Sequence, residues 1–142
     1  MFISESQIRV RYAETDQMGV VYHGNYAQYF ETARAESIRK LGFTYKDMEA
    51  AGIMMPVVEL HTKFLRPALY DELLTVKVIL KELPPHHRIE FHHEVYSENN
   101  ELITVGRIVL YFIETKTMKK TSMPGQLLEK LRPYFNYDDH AR

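Results

Sequence analysis

The sequence predicts an α+β domain in which one long amphipathic helix lies against an antiparallel sheet. Three observations predict it. The apolar pattern switches from strand-like alternation to helical spacing and back again along the chain. The strand-like segments after residue 53 are separated only by tight-turn signals. The chain has 142 residues with 45% hydrophobic content, enough for one core and the usual size of one domain.

The first strand is expected over residues 4–12, with Ile8, Val10 and Tyr12 on one face. A loop carrying Gly19 and Gly24 follows, from Ala13 to about His23. Tyr26, Tyr29, Phe30, Ala33, Ser37, Ile38 and Leu41 then recur at helical spacing, while Glu31, Arg34, Arg39 and Lys40 fall elsewhere. Asn25 suits the N-cap of this helix and Gly42 its stop. A shorter helix is expected over 44–51, with Thr44 and Asp47 in its first turn and Gly52 ending it.

Strands are expected at 54–65, 72–82, 88–97 and 102–114. Leu74, Val76, Val78 and Leu80 alternate, as do Ile89, Phe91, His93 and Val95. Residues 66–71, Pro84-Pro85 and Glu98-Asn99-Asn100 supply the turns. A last helix is expected over 124–134, Pro124 suiting its first turn, and the polar tail 136–142 is expected to be frayed. Consecutive strands joined by turns make an antiparallel sheet that one helix can cover on one face. Leftover apolar surface and an open sheet edge point to a homo-oligomer.

Composition removes several function classes. The net charge of -1 gives no global field for nucleic acid or an anionic membrane. The absence of cysteine excludes disulfides, thiolate metal sites and a cysteine nucleophile. The amino-terminal stretch reads as no signal peptide, and no apolar run approaches a bilayer's span, so a cytoplasmic protein is expected. His86-His87, His92-His93 and His61 do not make a metal site, because adjacent strand residues face opposite sides and no H-E-x-x-H occurs. No metal or cofactor is expected. Ser37 and Ser97 lack a triad pattern, and no G-x-S-x-G occurs.

The chemistry is expected in the loop before the long helix. Asp16 lies among Met18, Val20, Val21 and Tyr22, apolar neighbours that can strengthen a carboxylate as a base. The backbone N–H groups near Tyr22, His23 and Gly24 fall where the helix begins, and first-turn amides lack internal partners. They are suited to holding a carbonyl oxygen as it becomes an oxyanion. Gly24 permits close approach of a ligand. A carboxylate with an oxyanion site is the minimum set for acyl-transfer hydrolysis. The plainer reading of Asp16, a turn or cap residue, stands beside it.

The order of residues 9–26, RVRYAETDQMGVVYHGNY, resembles the hot-dog-fold thioesterases of the 4-hydroxybenzoyl-CoA thioesterase family, most closely its YbgC-like branch. The landmarks are Asp, two residues, Gly, a short apolar run, Tyr-His, one variable position and Asn-Tyr. The downstream stretch 64–71, FLRPALYD, is similar to the family as well. The resemblance spans nearly the whole chain. It implies a single hot-dog domain over 1–142, a long helix wrapped by a curved sheet, acting as an acyl-CoA thioesterase. Asp16 then corresponds to the catalytic carboxylate, as nucleophile or as general base. The His23 N–H polarises the thioester carbonyl, the Tyr22 and His23 side chains assist, and Asn25 braces the loop and caps the helix.

The resemblance also implies a site between two subunits of a homodimer or homotetramer. Glu59, Lys63 and Arg66 are candidates for its wall or for the coenzyme phosphates, beside the plainer reading as solvated strand residues. Coenzyme A enters only as part of the substrate, and an acyl carrier protein is an alternative donor. Another branch places its carboxylate inside the helix; here Glu31 and Glu36 are assigned to structure. Tyr12, Tyr29, Phe30 and Met54-Met55 are candidate acyl-pocket residues. Two other functions fit less well: a hot-dog dehydratase or hydratase on acyl thioesters, and a non-catalytic acyl-thioester-binding module.

Overall fold

The computed structural model describes residues 1–135; the tail expected to be frayed lies outside the described residues. Strand β1 spans Phe2–Arg9, helix α1 Tyr26–Lys40 and helix α2 Tyr45–Ala50. Strands β2 (Ile53–Met54), β3 (Val57–Phe64), β4 (Leu73–Leu80), β5 (Arg88–Tyr96), β6 (Leu102–Tyr111) and β7 (Ile113–Glu114) follow, and then α3, Gly125–Leu131. The main sheet has five antiparallel strands in the order β1-β4-β5-β6-β3, and β2 pairs with β7.

The alternation read in β4 and β5 decides which face is buried. Leu74, Val76, Val78 and Leu80, and Ile89, Phe91, His93 and Val95, all point inward and are buried. The helix stripe Tyr26, Tyr29, Phe30, Ala33, Ser37 and Ile38 packs against them and is buried in turn. Gly106 of β6 stands opposite His93 and faces Phe30, with no Cβ to keep the ring away. Gly42, at φ 90°, closes α1. Thr44 caps α2 by accepting from the Asp47 N–H at 3.1 Å.

Four expectations need correction. β1 begins earlier and ends at Arg9, and the chain turns through a short 3-10 helix, Tyr12–Glu14, that leaves Tyr12 exposed. The reason is local: the Arg11 N–H bonds the Glu14 carboxylate at 2.9 Å. The strand expected over 54–65 is interrupted at Met55-Pro56, where proline supplies no donor. The strand expected over 102–114 is likewise split into β6 and β7 at Phe112. Arg34 is not on the solvent face of α1; it is buried.

β1 and β3 are the two edges of the main sheet, and β3 is the more apolar of the two. Val57, Val58, Leu60 and Phe64, with Leu65 just beyond, are each 43% to 50% exposed. An apolar edge strand with unpaired backbone groups is a template for another chain. No described helix is long and apolar enough to cross a membrane.

Candidate active site

Two stretches far apart in sequence are hydrogen-bonded into one assembly. Residues 15–21 form a small hairpin: Thr15 bridges Val21, and the Asp16 N–H bonds the Val20 carbonyl at 2.9 Å. Gly19, at φ 77°, makes its turn, in a left-handed conformation that glycine adopts without strain. The other arm docks on residues 64–71: Val20 bridges Leu69, and the Val21 N–H donates to the Ala68 carbonyl at 2.9 Å. The end of β1 fastens the same segment, with the Asp71 N–H on the Val10 carbonyl at 3.0 Å.

Asp16 begins the hairpin turn. One carboxylate oxygen accepts the Met18 N–H at 2.8 Å, an Asx turn, so the plainer turn role of Asp16 is present, and it leaves the second carboxylate oxygen outside that bond. The half-buried carboxylate opens on a broad groove of about 810 Å³ with Tyr12 and Tyr70 among its walls. Those two rings meet edge-on at 5.7 Å.

Tyr22, His23 and Gly24 leave the other arm of the hairpin. His23–Asn25 form a 3-10 turn leading into α1. The His23 and Gly24 amides are the first of that turn and have no acceptor within it. The Tyr22 and His23 rings stack at 4.3 Å, and Phe64 of β3 stands 6.1 Å from the His23 ring. Neither side chain lines the Asp16 groove. A Cβ on Gly24 would meet the Tyr22 ring at 2.8 Å, so glycine is what lets that ring fold back over the turn.

Asn25 holds the N-cap position of α1, but its side chain does not cap the helix. Its Nδ2 donates instead to the Glu14 carbonyl at 2.8 Å, eleven residues back. Bracing is therefore its structural role, and the capping bond expected of it is absent.

Glu14 is the residue that sequence reasoning missed. It is 8% exposed. Its carboxylate accepts from the Arg11 N–H at 2.9 Å, the Arg11 guanidinium at 2.9 Å and the Tyr29 hydroxyl at 2.8 Å. Its own carbonyl accepts from Tyr22 N–H at 2.9 Å as well as from Asn25. Burial pushes the carboxyl pKa up, but the bonds from Arg11 and Tyr29 together outweigh it and hold the pKa below the ordinary value. Burial and the Glu14 charge push the Tyr29 phenol far up, so it stays a donor. The signal lay in the stripe, since Tyr29 carries a buried hydroxyl that requires a partner.

Glu59 and Lys63 lie elsewhere. Both belong to β3, on the outer face of the sheet away from α1. Glu59 lies 3.4 Å from the His61 ring nitrogen and pairs with Arg107 at 3.8 Å, and Glu90 ties Arg107 at 3.1 Å and Arg88 at 3.2 Å. Lys63 lines a shallow depression there with His61, His92 and Arg107. Arg66 pairs with Glu101 at 3.1 Å, and Glu36 with Arg39 at 3.3 Å. Among the acyl-pocket candidates, Phe30 is sealed in the core and Tyr29 is bound to Glu14, so neither faces a cavity. Met54 and Met55 do line one, beside α2. Among the described residues no three His, Asp or Glu side chains come together as a metal site.

Comparison with known proteins gives one consistent answer. The family model of the thioesterase-like superfamily matches residues 10–131. The chain is 39% identical over 102 residues to "Putative acyl-CoA thioesterase YneP" of Bacillus subtilis, covering 72% of this chain and 73% of that one. It is 23% identical over 125 residues to the acyl-CoA thioester hydrolase YbgC of Escherichia coli, covering 88% and 92%. The solved structure of a DHNA-CoA thioesterase from Staphylococcus aureus superposes with a TM-score of 0.81 at 39% identity, covering 99% of this chain and 89% of that one.

Proposed function

The chain belongs to the thioesterase-like superfamily, and we propose that it hydrolyses acyl-coenzyme A to the free acid and coenzyme A, with Asp16 driving the attack. The observation that carries the reading is the double fastening of the loop. The Asp16–Val20 bond holds the backbone that carries the carboxylate within the hairpin, and the Glu14–Tyr22 bond holds the start of the 3-10 turn that carries the His23 and Gly24 amides. A group held by backbone bonds on both sides is already placed before substrate arrives.

In the proposed reaction the thioester carbonyl oxygen receives the His23 and Gly24 N–H groups. Asp16 either takes a proton from water, whose oxygen adds to the carbonyl carbon, or adds to that carbon itself to form an anhydride that water then opens. In both routes the C–S bond breaks, the sulfur leaves as thiolate, and a proton returns to it. The apolar edge of β3 supports a second copy of this chain as the partner, placing Phe64 and its neighbours at a subunit boundary beside His23. Release of thiol from a panel of acyl-CoA esters, followed with a thiol-reactive dye, tests the reading. Thiol should appear with wild type and fall by at least about 10²-fold with Asp16→Asn. Hydration of an enoyl-CoA without thiol release would contradict it.

A further inference from the structure

The Asp16 hairpin docks on residues 68–71, so whatever holds that segment also holds the carboxylate. The segment is a tight turn. Its closing bond, from the Glu72 N–H to the Leu69 carbonyl, is long at 3.2 Å. Asp71 stands at φ 68°, a left-handed conformation that costs a side chain other than glycine some strain. Such a turn keeps its shape only where its surroundings hold it.

Glu72 supplies the hold. It is half-buried just before β4. One of its carboxylate oxygens accepts the Leu69 N–H at 3.1 Å, and the other accepts the Glu98 N–H at 3.1 Å. The first bond closes the turn, and the second ties it to the connection between β5 and β6. Glu98 answers with its own carboxylate, which accepts the Leu73 N–H and lies 3.4 Å from the Arg9 guanidinium. Arg9 also donates to the Asp71 carbonyl at 2.7 Å, and the Val10 N–H bonds the Glu72 carbonyl at 2.9 Å. Three segments distant in sequence, at 9–10, 69–73 and 98, are thereby clasped round the Glu72 side chain.

Each Glu72 oxygen is taken by a backbone N–H, and Glu72 is not among the residues lining the Asp16 groove. Its connection to the chemistry runs through the backbone. Leu69 bridges Val20, and the Val20 carbonyl accepts the Asp16 N–H. We propose that Glu72 is a positioning residue for hydrolysis: it fixes the 68–71 turn, and through that turn the hairpin that presents Asp16. The role rests on the hydrolase reading above. A misplacement of about 1 Å at a reacting group can cost on the order of 10²-fold in rate, so a partly loosened dock should register in kcat.

Glu72→Gln tests it. Glutamine has one acceptor oxygen, and its NH₂ would face an N–H donor, so one of the two bonds is lost. Thiol release from acyl-CoA should show kcat lower by about tenfold with KM within about twofold of wild type. Amide hydrogen exchange gives a second readout that needs no substrate. The Asp16 and Val21 N–H groups should exchange about tenfold faster or more, while amides at the centre of β5 keep their wild-type protection. Glu98→Ala, at an exposed position, removes the reciprocal bond to Leu73 and should shift both readouts in the same direction. It answers the question even where Glu72→Gln fails to fold. An unchanged kcat, unchanged exchange at Asp16 and Val21, or a rise in exchange that extends equally through β5 overturns the positioning role and leaves the hydrolase reading standing. Failure of wild type to release thiol overturns both.

Discussion

Gly106→Ala is the sharpest test of how α1 is seated. A Cβ at that position would stand 2.6 Å from Phe30 Cε2 and 2.7 Å from Cζ. Carbon atoms in contact sit about 3.5–4.0 Å apart, so the overlap is close to 1 Å. Phe30 has no room to yield: it is fully buried, and the His93 ring lies 4.7 Å from it. The added methyl must lift the helix or push the ring off its rotamer, at a cost of about 1–3 kcal/mol. For a chain of this size that corresponds to a fall in Tm of roughly 2–10 °C. Urea and thermal unfolding followed by circular dichroism read it directly. Phe30→Leu in the same chain opens space for the methyl, so the double variant should lose less stability than the two single losses added together. A Gly106→Ala protein as stable as wild type, or strictly additive losses, would refute the seating described here.

Two more predictions concern acid and the loop. Burial, reinforced by the Arg34 cation and His92, pushes the His93 pKa from 6.5 down to about 3. Between those values the unfolded chain binds a proton that the folded chain does not, so stability should fall as pH drops below about 6.5, by up to about 1.4 kcal/mol per pH unit. Urea titrations across that range should show a shallower slope in His93→Leu; an identical slope would remove His93 from the account. Glu14→Gln should cost about 1–3 kcal/mol by weakening the bonds from Arg11 and Tyr29, and should lower kcat/KM through the displaced Tyr22 turn. The folded Glu14 carboxyl has its pKa below 4.5, so this contribution is intact above 4.5 and is lost as pH falls through the lower folded value. Chemical denaturation beside a thiol-release assay checks both effects, and an unchanged kcat/KM would separate Glu14 from the site.

The helix and the paired strands were legible because burial follows their periods. The stripe from Tyr26 to Ile38 and the alternations through β4 and β5 are the buried sets themselves. Alternation misled at Tyr12, where a side-chain bond from Glu14 ends the strand that hydropathy would have continued. Arg34 was unreadable for a different reason: a buried cation goes against the pattern that places charge on the outer face. The loop's motif was visible, but its docking on residues 64–71 was not, since backbone bonds between distant segments leave no mark in local pattern. Glu59 and Lys63 could be assigned to a strand; only the register shows that they face away from α1.

The central claim is that Asp16 drives thioester cleavage from a fixed loop. Its most direct measurement is single-turnover thiol release by wild type and Asp16→Asn, with unfolding curves recorded on both. Asp16→Asn can keep the Met18 N–H bond through its amide oxygen, so its unfolding curve should match wild type while the rate falls by at least about 10²-fold. A folded Asp16→Asn protein that releases thiol at the wild-type rate would contradict the claim.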